Sequence, residues 1–158
     1  MLGRGEYADP VQWIDARDLA EFAIHLCEQS VYGIFNTCSP PFPMGQMLEE
    51  VKAGVGSDAT FTWVPDDFLN EQEVLRQLDS LGSTLVRNPD YAGYNQYNVD
   101  KAVAAGLTFR PIGVTSKDTV DWYKATPEED RPTGRLLTPE REAEVLAAWH
   151  EAQRGQTA

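Results

Sequence analysis

The sequence predicts an α/β fold of α+β character, a small sheet of short strands flanked by five or six helices. Three short stretches, at 11–14, 34–37 and 60–64, are apolar or alternate between apolar and polar residues, which is typical of strands. Around them, apolar residues recur at helical spacing over longer stretches. The chain has 158 residues, of which 42% are hydrophobic, so it is long enough to form one domain with a buried core.

The first predicted unit is a strand, a helix and a second strand. The strand at 11–14 leads into an acidic corner at 15–18, where a carboxylate can accept hydrogen bonds from the first N–H groups of a helix. The second strand, at 34–37, comes after Gly33. The helix between them has an apolar face made of Leu19, Phe22, Ala23, Leu26 and Cys27. We expect such a unit to lie against a sheet.

The flanking segments are predicted from glycine, proline and periodicity. Residues 1–10 contain two glycines and a proline and are predicted to form a loop. Three prolines within 40–43 predict a rigid turn that leads to a helix at 44–55. The alternating strand at 60–64 precedes a helical stretch at 66–81, for which Asp66 and Asp67 supply caps.

The second half of the chain is less regular. Periodicity is lost over 82–98, where three tyrosines are spaced by three residues. Asp100 then caps a short predicted helix that ends at Gly106. Thr115-x-x-Asp118 has the spacing of a capping box and predicts the start of a further helix. Thr138, with proline and glutamate directly after it, predicts the start of the last helix.

Five motifs together resemble one protein family. They are Asp15-x-x-Asp18-Leu19-Ala20, Gly33-x-Phe35-Asn36, the helix at 44–55, Asp100-Lys101-Ala102 with Gly106 and Pro111, and the stretch 119–123 with Trp122. In this order they resemble the C-terminal half of the NAD-dependent epimerase/dehydratase family, the extended or atypical short-chain dehydrogenase/reductases. The resemblance implies a substrate-binding half at 1–126. The residues after it predict a charged linker at 127–137 and a C-terminal helix and tail at 138–158.

The same resemblance implies hydride transfer through bound NAD or NADP, with the catalytic tyrosine and lysine on the other half of such a protein. Neither G-x-G-x-x-G nor G-x-x-x-x-G-K-[ST] occurs in this sequence. Tyr97-x-x-x-Lys101 has the catalytic spacing, but Asp100 suits a helix start and would leave the tyrosine outside the helix. We therefore expect no catalytic, cofactor-binding or metal-binding residue here, and no turnover by this chain alone.

Charge and composition limit the classes of partner that this chain can have. Twenty-five acidic and thirteen basic residues give a net charge of -12, which repels phosphate backbones and anionic membrane surfaces. We therefore expect no nucleic-acid and no membrane partner. With no apolar run long enough to span a bilayer, a cytoplasmic location is expected. Cys27 and Cys38 are predicted to be buried thiols rather than a disulfide framework.

Three residues are the candidates for contact with a small-molecule substrate: Gln12, Trp13 and Arg87. The family often has an arginine at the start of the strand ahead of the acidic corner, whereas this chain has Gln12 and Trp13 nearby. Arg87 lies in the irregular stretch where functional contacts concentrate. Asp15 and Asp18 could form a carboxylate pair for acid and base catalysis, although helix capping also explains them. His25 and His150 are expected to be solvated surface residues.

An uncovered surface is expected to determine the partners. If the strand at 34–37 belongs to a larger parallel sheet, its edge and the apolar helix face before it are uncovered in this chain, so we expect a homodimer or a partner that covers them. Two other functions stay open. One is a non-enzymatic ligand-binding or regulatory module, and the other is a small independent enzyme with its site among Tyr91, Tyr94, Tyr97 and Trp63.

Overall fold

The computed structural model describes residues 1–78, 87–91, 93–132 and 137–156, and it shows a mixed α/β fold with more helix than strand. This confirms the predicted mixed α/β class with short strands. The finer expectation of one small sheet and five or six helices is corrected, because the described ranges contain two two-stranded sheets and seven α-helices. The strands are β1 (Leu2–Arg4), β2 (Pro10–Val11), β3 (Phe42–Pro43) and β4 (Thr62–Val64). The helices are α1 (Ala16–Glu28), α2 (Met44–Gly54), α3 (Asp66–Glu71), α4 (Leu75–Leu78), α5 (Asp100–Ala104), α6 (Ile112–Ala125) and α7 (Pro139–Gln156).

Strand β1 corrects the prediction that residues 1–10 form a loop throughout. It pairs in parallel with β4, with Leu2 opposite Thr62 and Arg4 opposite Val64. Gly3 permits this pairing because a Cβ atom there would stand only 3.2 Å from the Trp63 ring. A three-residue strand with a glycine at its centre gives no periodic signal, so only its distant partner reveals it.

Strands β2 and β3 form a second, antiparallel pair, with Val11 opposite Phe42. Of the strand predicted at 11–14, only Val11 pairs with another strand. The proline-rich turn, predicted to be rigid, contributes strand β3. Both strands contain a proline, which cannot donate to a ladder, and this limits the pairing to two residues each. Beyond them, the Trp13 carbonyl still accepts a hydrogen bond from the Ser39 amide at 2.7 Å.

The predicted strand at 34–37 is wrong as a paired strand, because these residues have no strand partner within the described part of the chain. The side chains nevertheless alternate as they would in a strand. Ile34 points to solvent and Phe35 packs inward, with its ring 5.7 Å from that of Phe22. The segment keeps the pattern of a strand but lacks a neighbour.

Three helix starts differ from those predicted. Helix α3 has Pro65 at its N-cap and no side-chain cap, because the Asp66 carboxylate pairs with Arg4 instead. Helix α5 has Val99 at its N-cap, so Asp100 lies in the first turn rather than capping the helix. Helix α6 begins at Ile112, three residues before the predicted capping box.

The helical stretch predicted at 66–81 is divided. Helices α3 and α4 are separated at Glu73, whose φ of 57° lies in the left-handed region and cannot continue an α-helix. Residues 79–81 lie outside the described residues. By contrast, α1 and α2 lie where periodicity predicts them. Thr138 accepts a hydrogen bond from the Arg141 amide at 3.2 Å, which confirms the predicted cap of α7.

The apolar core consists of three clusters. One is centred on α2, one joins β4, α3 and α7, and one joins α1 and α5. Helix α7 belongs to the second cluster through Val145, which is fully buried, so the C-terminal helix packs on the same core as β4 and as Leu2 of β1. The buried members are Val11, Met44, Met47 and Ile112 in the first cluster, Val64, Leu69, Val74 and Val145 in the second, and Phe22, Ala102 and Leu107 in the third.

The two cysteines are free thiols, but the prediction that both are buried is wrong. Cys27 is exposed on α1, and Cys38 is half-buried. Burial raises the pKa of the Cys38 thiol above its ordinary value. Among the helices that the structure describes, none is both long and apolar enough to cross a bilayer.

Helices α2 and α6 cross at a pair of glycines. A Cβ atom on Gly54 would overlap the backbone of Gly113, whereas a Cβ atom on Gly113 would approach Gly54 Cα at 3.3 Å. We expect Gly54→Ala to lower the free energy of unfolding by about 1–3 kcal/mol, because the helices must move apart. Gly113→Ala should cost less, and chemical denaturation measures both.

Gly155→Ala is the matched control, because it is also helical but has open space around it. We expect no loss of stability there, since alanine favours helix over glycine. Equal stability of Gly54→Ala and Gly155→Ala would show that the glycine pair does not set the helix crossing.

Candidate functional site

The irregular stretch ahead of α5 packs along strand β2 and forms the candidate site. We call its described residues, 87–91 and 93–98, the tyrosine segment. Gln12 fastens its C-terminal end, because the Gln12 amide nitrogen donates to the carbonyls of Ser39 (2.7 Å) and Tyr97 (3.0 Å). The Gln12 amide oxygen accepts from the Tyr97 N–H at 2.8 Å. Gln12 thus joins three backbone groups at the border of this segment.

Arg87 fastens the other end of the tyrosine segment. Its guanidinium pairs with the carboxylate of Asp9 and lies 3.3 Å from that of Asp66, which also binds Arg4 at 3.0 Å. The arginine needs a glycine beside it, since a Cβ atom on Gly5, which has a φ of 77°, would collide with the guanidinium. The cleft beside Arg87, about 390 Å³, is lined by Glu6, Pro65, Asp66, Asp67, Arg87 and Asn88.

Three carboxylates and one guanidinium therefore line the Arg87 cleft. The positive charge of Arg87 is balanced by Asp9 and Asp66, so the cleft is not suited to an anionic ligand. The contacts that Arg87 makes within the chain are structural, and its contact with a substrate remains a prediction.

A groove of about 260 Å³ lies within the tyrosine segment itself. Tyr91, Gly93, Tyr94 and Tyr97 line it, and the rings of Tyr94 and Tyr97 meet edge to face with centroids 6.5 Å apart. Asn95 sets the turn between them with a φ of 56° and donates from its side chain to the Pro10 carbonyl at 3.3 Å. We call this the tyrosine groove. Its ring faces and phenol groups can hold a small molecule that is partly apolar and partly polar.

Trp13 lies in a different place. It packs partly against the first core cluster and lines a second groove of about 360 Å³ between the start of α1 and the middle of α6. The three predicted substrate residues therefore do not converge. Gln12 borders the tyrosine groove through Tyr97, Arg87 lines the neighbouring cleft, and Trp13 lines the groove beside α6.

The acidic corner is occupied by structural contacts. Asp15 is buried and caps α1 by accepting from the Arg17 amide at 2.8 Å. Its carboxylate also binds the Arg17 guanidinium at 3.0 and 2.7 Å, and the Thr115 hydroxyl donates to it at 2.6 Å. The hydrogen bond from the Arg17 side chain, together with that from Thr115, holds the pKa of Asp15 far below its ordinary value despite its burial.

Asp18 is held in the same way by the chain ahead of α6. Its carboxylate accepts from the Arg110 amide at 2.9 Å and from the Arg110 side chain at 2.6 Å. Arg110 also binds Glu21 at 2.8 Å, and these contacts contribute to raising the pKa of Arg110. Because both carboxylates are bound by arginines, the geometry favours structural roles over a carboxylate pair for catalysis. Asp15 is the helix cap, whereas Asp18 holds Arg110 and caps no helix.

The tyrosine–lysine spacing does not form a catalytic pair. Tyr97 precedes α5, as the sequence predicts, so it does not share a helical face with Lys101. The Lys101 ammonium donates to the Ile34 carbonyl at 2.8 Å and lies 4.5 Å above the Phe35 ring. His25 and His150 are both exposed, which confirms their prediction as surface residues.

The starts of α1 and α2 do not fit the phosphates of a dinucleotide. Pyrophosphate binds at a free helix N-terminus after a strand, but the N-terminus of α1 is capped by the carboxylate of Asp15. The first amides of α2 are also occupied, since Met44 donates to the Asp9 carbonyl (2.8 Å) and Gly45 to that of Tyr7 (2.9 Å). These two helix starts therefore offer no cradle for the phosphates of NAD or NADP.

Several residues of the site have no clear signal in the sequence. Asn95 and Asp9 fix the tyrosine segment, and Thr115 and Asp118 contact the acidic corner from α6. The sequence does contain two arginines, Arg87 and Arg110, that are available to pair with the acidic residues near the N-terminus. Their presence could have indicated that those carboxylates form ion pairs. The spacing gives no means of assigning which arginine meets which carboxylate.

Comparison with protein-family models, with curated proteins and with solved structures gives no match for this chain. Function is therefore inferred from the residues and their geometry.

We expect Asp15→Asn to lower the free energy of unfolding by about 2–3 kcal/mol near neutral pH, because it removes charged hydrogen bonds to Arg17. The folded-state pKa of Asp15 lies below its ordinary value of 3.8, so its contribution is present above that value and is lost as the pH falls below it. Denaturation at several pH values should show the wild type and Asp15→Asn converging in acid.

Asp121→Asn is the matched control, since Asp121 also has a lowered pKa through its contact with Lys117. Both of those side chains are exposed and solvent screens their attraction, so we expect little or no change in the free energy of unfolding. A pH-independent difference between the wild type and Asp15→Asn would contradict the role given to the ionised carboxylate.

Proposed function

We propose that this chain is the substrate-binding portion of an NAD-dependent epimerase/dehydratase-like protein, an oxidoreductase or isomerase. In this proposal the chain binds a small molecule at the tyrosine groove and has no turnover on its own. A second half, in another copy or a partner, covers the apolar surface around α1 and supplies the nucleotide site and the proton-transfer residues. The order of the motifs along the sequence supports the family, and the surface and the groove support the division of labour.

The observation that carries the proposal is an apolar surface that this chain leaves open. Helix α1 buries Phe22 but leaves Leu19, one turn before it, exposed, and Ile24 is exposed on the opposite side of the helix. The segment after α1 exposes Tyr32 (86%) and Ile34 (89%). We call Leu19, Ile24, Val31, Tyr32 and Ile34 the open face. Single exposed apolar residues are ordinary, but five of them between residues 19 and 34 are more typical of an interaction surface.

The backbone next to the open face supports the same interpretation. Residues 34–37 alternate between exposed and inward side chains, but they have no strand partner within the described ranges. An unpaired segment of this kind can be completed by a strand from another sheet. The ammonium of Lys101 holds this segment in place from α5 through the Ile34 carbonyl. A partner would therefore meet a preformed edge.

Substrate binding is assigned to the tyrosine groove because it lies on an irregular segment held by a fixed scaffold. Gln12 and Arg87 fasten the two ends of that segment, so the rings of Tyr91, Tyr94 and Tyr97 are presented on a supported surface. Binding residues are often found on loops that a rigid scaffold positions. In this proposal Gln12 acts as a positioning residue for the groove.

A second candidate function is a small-ligand-binding module that needs no other half. The tyrosine groove favours it, since Tyr91, Gly93, Tyr94 and Tyr97 line it and none of them belongs to the open face. The independent enzyme among the tyrosines and Trp63 has less support, because Trp63 packs against the first core cluster and on Tyr7. The two remaining candidates differ in whether the open face is covered.

A thermal-shift screen tests substrate binding. We expect NAD, NADH, NADP and NADPH to leave the melting temperature unchanged, and a compound among nucleotide sugars and small apolar molecules to raise it by mass action. That rise should disappear in Tyr91→Ala and persist in Tyr123→Ala, a tyrosine of similar exposure on α6. Stabilisation by a dinucleotide would contradict the proposal.

Light scattering tests the open face. We expect the wild type to self-associate as its concentration rises, and Ile34→Asp to remain monomeric because the charge would have to be buried in the interface. Val114→Asp is the control, since Val114 is also exposed but lies on α6. A monomeric wild type that binds no apolar dye would favour the self-contained ligand-binding module instead.

A further inference from the structure

The groove beside α6 is a separate place for a ligand. Trp13, Arg17, Asp118 and Trp122 define it, and we call it the tryptophan groove; its volume is about 360 Å³. Trp122 is 55% exposed and Trp13 half-buried, so both indoles present surface to the groove. It shares no lining residue with the tyrosine groove, so a ligand bound here would be independent of the proposed function.

The guanidinium and hydroxyl groups that line the tryptophan groove are already engaged within the protein. Arg17 directs Nε and Nη2 to Asp15, at 3.0 and 2.7 Å, and Nη1 to Asp118 at 2.6 Å. The Thr115 hydroxyl donates to Asp15, and the Thr119 hydroxyl donates to the Thr115 carbonyl at 2.7 Å. A ligand recognised by many hydrogen bonds, such as a sugar, would find few free donors here.

Charge and ring faces remain as the means of recognition. Two carboxylates, Asp15 and Asp118, and one guanidinium line the groove, which leaves it with one net negative charge. The Asp118 side chain is 48% exposed, so its carboxylate can be reached from solvent. The whole chain carries a charge of -12, which attracts cations and disfavours anions.

We infer that the tryptophan groove binds an organic cation of the quaternary ammonium class. Indole faces attract such cations, and a nearby carboxylate adds to the attraction. A primary ammonium is more strongly hydrated and would lose more on entering a groove with two indoles, Ile14 and Ala16 in its lining. The bulky, weakly hydrated cation matches both the apolar lining and the negative charge.

Choline is the probe for this inference, and the control compound is its uncharged isostere, in which carbon replaces the quaternary nitrogen. The four tryptophans of the chain provide an internal comparison, since Trp63 and Trp149 pack elsewhere. In NMR spectra of the indole N–H groups, assigned with Trp→Phe variants, choline should shift the signals of Trp13 and Trp122 and leave the other two unchanged. The isostere should shift none of them.

Two variants test the recognition elements, and both lie at exposed positions of α6. Trp122→Ala and Asp118→Asn should each weaken choline binding, roughly five- to thirty-fold for the lost indole. Trp149→Phe, in α7, should bind choline as the wild type does. Unchanged thermal melting shows that each variant remains folded.

The inference is overturned if choline shifts neither Trp13 nor Trp122, if all four indoles respond alike, or if the isostere binds as well as choline. It is also overturned if folded Trp122→Ala and Asp118→Asn bind choline with wild-type affinity. None of these results bears on the tyrosine groove, because its thermal-shift hit is lost through a different variant, Tyr91→Ala.

Discussion

The buried carboxylate of Asp15 is the contact on which the arrangement of this chain depends. It caps α1, binds the Arg17 guanidinium through two hydrogen bonds and accepts another from Thr115 on α6. One ionised group thereby joins the segment between β2 and α1, the first turn of α1 and a helix one hundred residues further along the chain. Because a buried carboxylate without partners is costly, these contacts have to form together. We call these contacts of Asp15, together with the neighbouring contact between Asp18 and Arg110, the junction.

This junction also decides which surfaces are left for function. The acidic corner is occupied by arginines, so acid and base catalysis there is disfavoured by the geometry, and the N-terminus of α1 is closed to phosphate. It places Trp13 and Arg17 opposite Asp118 and Trp122, which forms the tryptophan groove. It also turns one side of α1 inward through Phe22 and leaves the open face outward. The functional proposals therefore concern three surfaces that one packing arrangement produces.

The local sequence pattern was sufficient to predict most of the long helices. It was insufficient to predict which distant residues contact each other. Periodicity predicts α1, α2 and α7, and the caps Asp15 and Thr138 lie where propensity places them, because these features depend on neighbours within four residues. Strand β1 could not be predicted, since only its pairing with β4 some sixty residues away makes it a strand. The same limit applies to Gln12, whose residue type gives no sign that it would meet the backbone of Tyr97. Spacing alone also misassigned Thr115 and Asp118, which bind the acidic corner instead of capping α6.

A double-mutant cycle between Asp15 and Thr115 tests this junction most directly. Asp15→Asn, Thr115→Val and the double variant are compared by denaturation near neutral pH. If the two side chains act as one junction, the loss in the double variant should fall short of the sum of the single losses by about 0.5–3 kcal/mol. Single losses that add up within about 0.3–0.5 kcal/mol would mean that the two residues are independent, and that Asp15 does not join α1 to α6.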